Sequence, residues 1–108
     1  MQIFDSTPYM KQGGWFIGNF EPTVFKTDQF EVSYKLHYKD EEWPKHHHKL
    51  STEINFLIRG KMLINNVLIE SGKIFVIGKN ESVKPIFLED CELIVVKTPS
   101  VSNDKYND

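Results

Sequence analysis

Short apolar runs cut by turn residues recur along this chain, and apolar residues almost never repeat at helical spacing. Trp15-Phe16-Ile17 is bracketed by Gly13-Gly14 and Gly18-Asn19. Phe30 to Tyr38 alternates, with Val32, Tyr34, Leu36 and Tyr38 on one face and Glu31, Ser33, Lys35 and His37 on the other. Glu53 to Arg59 is closed by Gly60. Met62-Leu63-Ile64 and Val67-Leu68-Ile69 flank Asn65-Asn66, residues that accept the positive φ of a type I′ hairpin turn. Ile74 to Ile77, Val83 to Leu88 and Leu93 to Val96 complete the set, separated by Gly78-Lys79-Asn80 and Glu89-Asp90. Such a pattern excludes helical bundles and βαβ units. It predicts an all-β sandwich or barrel with little or no helix, and a barrel leaves room inside for one small ligand.

With 108 residues there is material for one core, so the expectation is a single domain over 1–108. Its barrel core runs from about 30 to 99, with N-terminal edge strands from about 13 to 30 and a polar C-terminal tail over 100–108. Thirteen basic and fifteen acidic residues are evenly mixed, for a net charge of −2, which offers no footprint for nucleic acid or an anionic membrane. Twelve of the basic residues are Lys and only Arg59 is Arg, which excludes a phosphate clamp built from several Arg forks. The one cysteine, Cys91, can form no intrachain disulfide, and its acidic neighbours Glu89, Asp90 and Glu92 disfavour a thiolate. It reads as structural. The N-terminus lacks the pattern of a signal peptide, and no apolar stretch is long enough to span a bilayer. A cytoplasmic protein is expected.

One segment carries chemistry: His46-His47-His48-Lys49-Leu50-Ser51-Thr52-Glu53. Residues two apart on a strand share a face, so His46 and His48 project together while His47 points away. Two imidazoles and a carboxylate suit a divalent transition metal and leave coordination positions open.

Here the sequence resembles the cupin family, whose first motif is His-x-His, three or four residues, Glu, six residues and Gly. His46, His48, Glu53 and Gly60 match it, and Gly72 with the run to Ile77 is similar to the start of the second motif. The resemblance covers roughly residues 30 to 99 and implies a small cupin-type β-barrel, a double-stranded β-helix or jelly roll. Two departures stand out. Asp40 replaces the Gly expected six positions before the first His. Val83 stands where the second motif would supply a fourth ligand, a His, and Gly78 and Asn80 replace the residues that usually precede it.

By resemblance, His46, His48 and Glu53 are the metal set, for iron, manganese, nickel or zinc, with His46 and His48 also the catalytic pair. Asn55 and Leu57 share the Glu53 face and are expected to line the cavity. Asn55 is a candidate ligand contact or a partner that orients Glu53. Trp43, in the loop before the His cluster, is a candidate stacking platform or a cap on the core. Tyr34 is a candidate ligand contact and proton-transfer partner, with Tyr38 its alternative. Lys84, beside the missing His, either meets an anionic substrate group or is a solvated charge, the simpler reading. His37 is expected on a solvent face, and Trp15, Phe16, Phe20, Phe25, Phe30, Phe56, Phe75 and Phe87 in the core.

Three functions are compatible with these residues. The first is a divalent-metal-dependent enzyme acting on a small polar metabolite, of oxygenase or isomerase type. The second is a non-catalytic cupin that has lost its fourth ligand and binds or sequesters a small molecule. The third is a metal-free sugar isomerase or epimerase with His46 or His48 as general base. The stretch Val96-Lys97-Thr98-Pro99-Ser100 is similar to compact cupins of carbohydrate pathways. The resemblance also implies a homodimer, with Trp15-Phe16-Ile17 as a candidate edge.

Overall fold

The computed structural model describes residues 1–108. One four-residue helix, α1 (Thr7–Met10), precedes eleven strands: β1 (Trp15–Gly18), β2 (Phe25–Lys26), β3 (Glu31–His37), β4 (His46–His48), β5 (Thr52–Arg59), β6 (Lys61–Ile64), β7 (Val67–Glu70), β8 (Ile74–Ile77), β9 (Pro85–Phe87), β10 (Cys91–Thr98) and β11 (Lys105–Asn107). They form a six-stranded sheet in the order β2-β1-β3-β10-β5-β8, a three-stranded sheet β7-β6-β9 and a two-stranded ribbon β11-β4. Bridges from His46 to Val83 and from Glu42 to Ile86 link the second half of the chain to the segment around β4.

The turns follow local chemistry. Asn65 and Asn66 both adopt positive φ, 50° and 67°, and close the β6–β7 hairpin as their side chains allow. Asp40, in place of the expected glycine, sits at φ 64°, a conformation Asp tolerates better than most residues. Gly60 is required on two grounds: its φ is 102°, and an added Cβ would lie 2.4 Å from the Asp90 carbonyl.

Register across the large sheet sorts the side chains into rows. Glu31, Lys97, Glu53 and Ile77 lie side by side on β3, β10, β5 and β8, and the next inner row is Ser33, Val95, Asn55 and Phe75. The apolar core of Leu57, Met62, Phe87, Cys91, Leu93 and Val95 fills one end of the barrel, packed by Trp15, Ile64, Ile69 and Phe75. Toward the other end the inner face turns polar.

Three expectations are corrected here. The Glu31, Ser33, Lys35 and His37 face of β3 points inward, and the more apolar face carrying Leu36 looks outward. The alternation was right and its sense inverted, because the barrel interior is a polar cavity at this level. The aromatic set is not mostly core: Phe87 is buried, while Phe25 and Phe56 are exposed. Residues 100–108 are not a loose tail, since β11 pairs with β4 through Lys105–His48, Tyr106–His47 and Asn107–His46.

Candidate functional site

A cavity of about 610 Å³ opens beside β4, within the usual range for a small-molecule site. His46 and His48 line it from β4, Glu53 and Asn55 from β5, Glu31, Lys35 and His37 from β3, and Lys97 from β10. Met62, Leu93 and Val95 contribute apolar wall, and residues 101–105 close one side.

The two expected imidazoles are held in a defined way. His48 Nδ1 lies 2.8 Å from the Asp104 carbonyl and His46 Nδ1 lies 3.1 Å from the Pro44 carbonyl. A carbonyl only accepts, so in both rings Nδ1 carries the proton and the Nε2 lone pair is left without a protein partner. The rings meet edge to face, with centroids 5.6 Å apart. Burial, followed by the positive charge of Lys97, holds His48 below the ordinary imidazole range and favours its neutral form. His47 points away, as alternation demands, onto Asp108 Oδ1 at 2.7 Å and the ring of Tyr106.

Asp104 anchors this arrangement from the C-terminal segment. Its carboxylate accepts hydrogen bonds from the backbone N–H groups of Lys49, Leu50 and Ser51 at 3.0–3.1 Å. Burial raises its pKa, but those donors outweigh burial and hold it below the usual carboxylate range.

Cavity charge is dominated by groups the sequence reading did not single out. Lys97 is 9% exposed, lies 5.7 Å from the Trp15 ring centroid, and makes no hydrogen bond or ion pair. Lys35 donates to the Gly13 carbonyl and sits 4.7 Å over Trp15, and burial lowers its pKa to about 8. Lys105 sits 4.5 Å over Trp43, and burial lowers its pKa too. Burial raises Glu31, against the pull of Lys97 and a hydrogen bond from Ser100. The signal for Lys97 was available: alternation along Leu93, Val95 and Lys97 places it on the same face as two core residues.

Asn55 lines the cavity as expected, is 5% exposed, and its Nδ2 has no hydrogen-bond partner. No hydrogen bond joins it to Glu53, so it does not orient that carboxylate. Trp43 also lines the cavity, with its Nε1–H donated to Glu41 Oε2 at 2.6 Å. His37, expected in solvent, stacks on Phe87 with centroids 4.4 Å apart and meets the Glu41 carboxylate. Tyr34 does not reach the cavity; it lies on the outer face of β3 and donates to the Glu92 carboxylate. Tyr38 is exposed. Lys84 is exposed as well and is held only through its backbone, which donates N–H to Asn65 Oδ1 and accepts from the Asn65 N–H. Leu57, expected to line the cavity, is instead fully buried in the apolar core. Val83, 2% exposed, presents an isopropyl group to the cavity where a fourth ligand would stand.

The donor chemistry of His46 and His48 suits a divalent metal, but the third ligand is not gathered with them. No three His, Cys, Asp or Glu side chains are grouped so as to hold a metal ion. Lys35, Lys97 and Lys105 all act on Glu53 or on the groups around it, placing positive charge beside the one carboxylate a dication would need. As arranged, these residues do not make a three-ligand metal centre.

Comparison with solved structures defines the class. An uncharacterized conserved protein with a double-stranded β-helix domain from Klebsiella pneumoniae subsp. pneumoniae MGH 78578 is similar at a TM-score of 0.69 and 15% identity, over 98% of this chain and 90% of that one. The DMSP lyase DddQ from Ruegeria pomeroyi DSS-3 is similar at 0.69 and 14% identity over 84% of this chain, which spans 48% of that chain. The bacterial pirin YhhW from Escherichia coli, in complex with nickel(II), is similar at 0.64 and 17% identity, over 81% of this chain and 39% of that one. The chain therefore has the cupin fold, a small double-stranded β-helix. No family model matches the sequence, and no curated protein matches it. No helix is long and apolar enough to cross a membrane.

Proposed function

We propose that this chain is a small-metabolite cupin that moves a proton on its ligand through His46 or His48, without a resident metal. One observation carries the reading: both imidazoles line the cavity with Nδ1–H fixed to a carbonyl and Nε2 unpaired, and burial biases His48 to the neutral form. A neutral imidazole with a free lone pair, in a half-apolar pocket that also holds ammonium groups to stabilise negative charge, is equipped to take a proton from carbon or oxygen. The ligand is a small polar molecule, by the cavity's size and its mixed lining. A cytoplasmic location is part of the proposal, supported by the single buried thiol.

A second reading is favoured by the same Nδ1 anchoring, which is also how metal-binding imidazoles are held. In it His46, His48 and Glu53 take iron, manganese, nickel or zinc, and the likeness to nickel-bound pirin supports it. It requires Glu53 to leave the lysines around it.

Solvent deuterium incorporation separates the two. We expect tag-free, chelator-treated protein to exchange a proton of a keto-sugar or keto acid with heavy water, with His48→Gln slower by about 100-fold or more. Activity that disappears with chelator and returns with one stoichiometric divalent ion would establish the metal reading in its place.

A further inference from the structure

We infer that the ligand of this cavity carries a carboxylate, and that Lys97 Nζ and Asn55 Nδ2 bind it. The inference rests on the reading of the cavity as a small-metabolite site and adds the chemical class of what enters it. Two donors carry it. Lys97 and Asn55 are each more than nine-tenths buried, both line the cavity, and neither donor nitrogen has a hydrogen-bond partner in the protein. A buried donor in a folded protein is almost always satisfied, so Asn55 Nδ2 calls for an acceptor from outside the chain, and the unpaired Lys97 ammonium on the same wall adds a positive charge beside it.

Register makes them a pair. Lys97 stands opposite Glu53 and Val95 opposite Asn55, so Lys97 and Asn55 are diagonal neighbours on adjacent strands facing the same space. One ammonium beside one amide N–H₂ offers a donor to each oxygen of a carboxylate. The wider balance agrees. Lys35, Lys97 and Lys105 face the cavity against Glu31 and Glu53, while the Asp104 carboxylate is spent on backbone N–H groups. None of the three lysines forms an ion pair, and each rests on an indole ring instead. With the Asp104 charge engaged by its backbone donors, a ligand carboxylate would meet a locally positive wall at Lys97. A phosphate fits less well, because no Arg lines the site and no glycine-rich backbone cradle is offered.

The test uses the full chain, labelled with ¹⁵N, and follows the Asn55 side-chain N–H₂ resonances during addition of malonate, pyruvate or glucuronate. Glucose and inorganic phosphate serve as comparison probes. We expect a saturable shift with at least one carboxylate, weakened about tenfold or more in Lys97→Met and partly retained in Lys97→Arg. Asn55→Asp, followed through the backbone amide shifts of β5 and β10 because the side-chain reporter is gone, sets a like charge against the ligand; it should abolish carboxylate binding and decides the matter if Lys97→Met does not fold. Saturation by glucose or phosphate with none by carboxylates would overturn the carboxylate class and leave the cavity a ligand site. Carboxylate binding unchanged in Lys97→Met and Asn55→Asp would overturn the assignment of the donors. No response of Asn55 to any probe would overturn the inference, while the proton-transfer assay would still report on the cavity reading separately.

Discussion

Lys35 shows how one side chain can carry two conflicting requirements. Its stem belongs to the inner face of β3, and its ammonium is held by the Gly13 carbonyl and the Trp15 ring. Burial nevertheless disfavours its charged form and brings its pKa from 10.5 down to about 8. Glu53 and Glu31 pull it upward, while Lys105 and Lys97 reinforce the effect of burial. A folded pKa below the unfolded one means that the charge opposes folding wherever both states are protonated, below pH 8. Between pH 8 and 10.5 the folded state sheds its proton first and the penalty fades. The expected outcome is a difference in Tm, Lys35→Met minus the parent, that falls steadily as pH is raised from 7 to 10. A difference independent of pH would show that the ammonium is not desolvated in the folded protein.

At the scale of elements, the short ribbon β4–β11 has more effect on the site than its length suggests. β4 carries the His pair, and β11 brings in Asp104, whose backbone carbonyl fixes the His48 tautomer and whose carboxylate ties the turn after β4. Asp104→Asn keeps the shape and removes the charge from a group accepting several backbone donors, which is worth about 1–3 kcal/mol. We expect a Tm lower by roughly 5–10 °C, faster proteolysis between 100 and 105, and a mixed His48 tautomer in ¹⁵N spectra. Unchanged stability with an unchanged tautomer would show that the segment is merely draped over the barrel. The sequence marked His46 and His48 by spacing alone, but 100–108 contains no apolar alternation. Its structure comes from charged and polar partners contributed by β4 and the adjacent loop, up to 61 residues away.

Across the whole molecule the large sheet reverses the usual arrangement of one apolar and one polar face. On β5 the inward residues are Glu53, Asn55 and Leu57, while Ile54, Phe56 and Ile58 face out. Ile54 pairs with Val76 and Val96, and Phe56 with Ile74 and Ile94, so these side chains form a continuous apolar patch that reaches edge strand β8. Ile74 and Val76 are 62% and 59% exposed. Contiguous apolar surface of this kind marks an interface. If the homodimer implied by the resemblance forms, it would bury this outer face and not Trp15-Phe16-Ile17, because β1 is already paired with β2 and β3. The double variant Ile74→Lys, Val76→Lys should be monomeric by light scattering with an unchanged circular dichroism spectrum, against a dimeric parent. A monomeric parent at tens of micromolar would overturn the assignment.

Strands β1, β3 and β5 to β10, the Asn65-Asn66 turn, and the shared faces of His46 with His48 and of Glu53 with Asn55 were legible in the order of residues, whereas β2 and β11 were not. Each depends on local geometry: alternation along a strand, or the φ a turn demands. Which face of a strand points inward was not legible. For β3, where no motif marks the inner face, the assumption that apolar residues face the core fails, because the barrel encloses a polar cavity and sets the apolar face of that strand outward. The same holds for Lys35 and Asp104, whose roles arise from partners far away in sequence. Alternation distinguishes two faces without saying which is the inside; closure of the barrel makes that choice, and with it which charges the cavity holds.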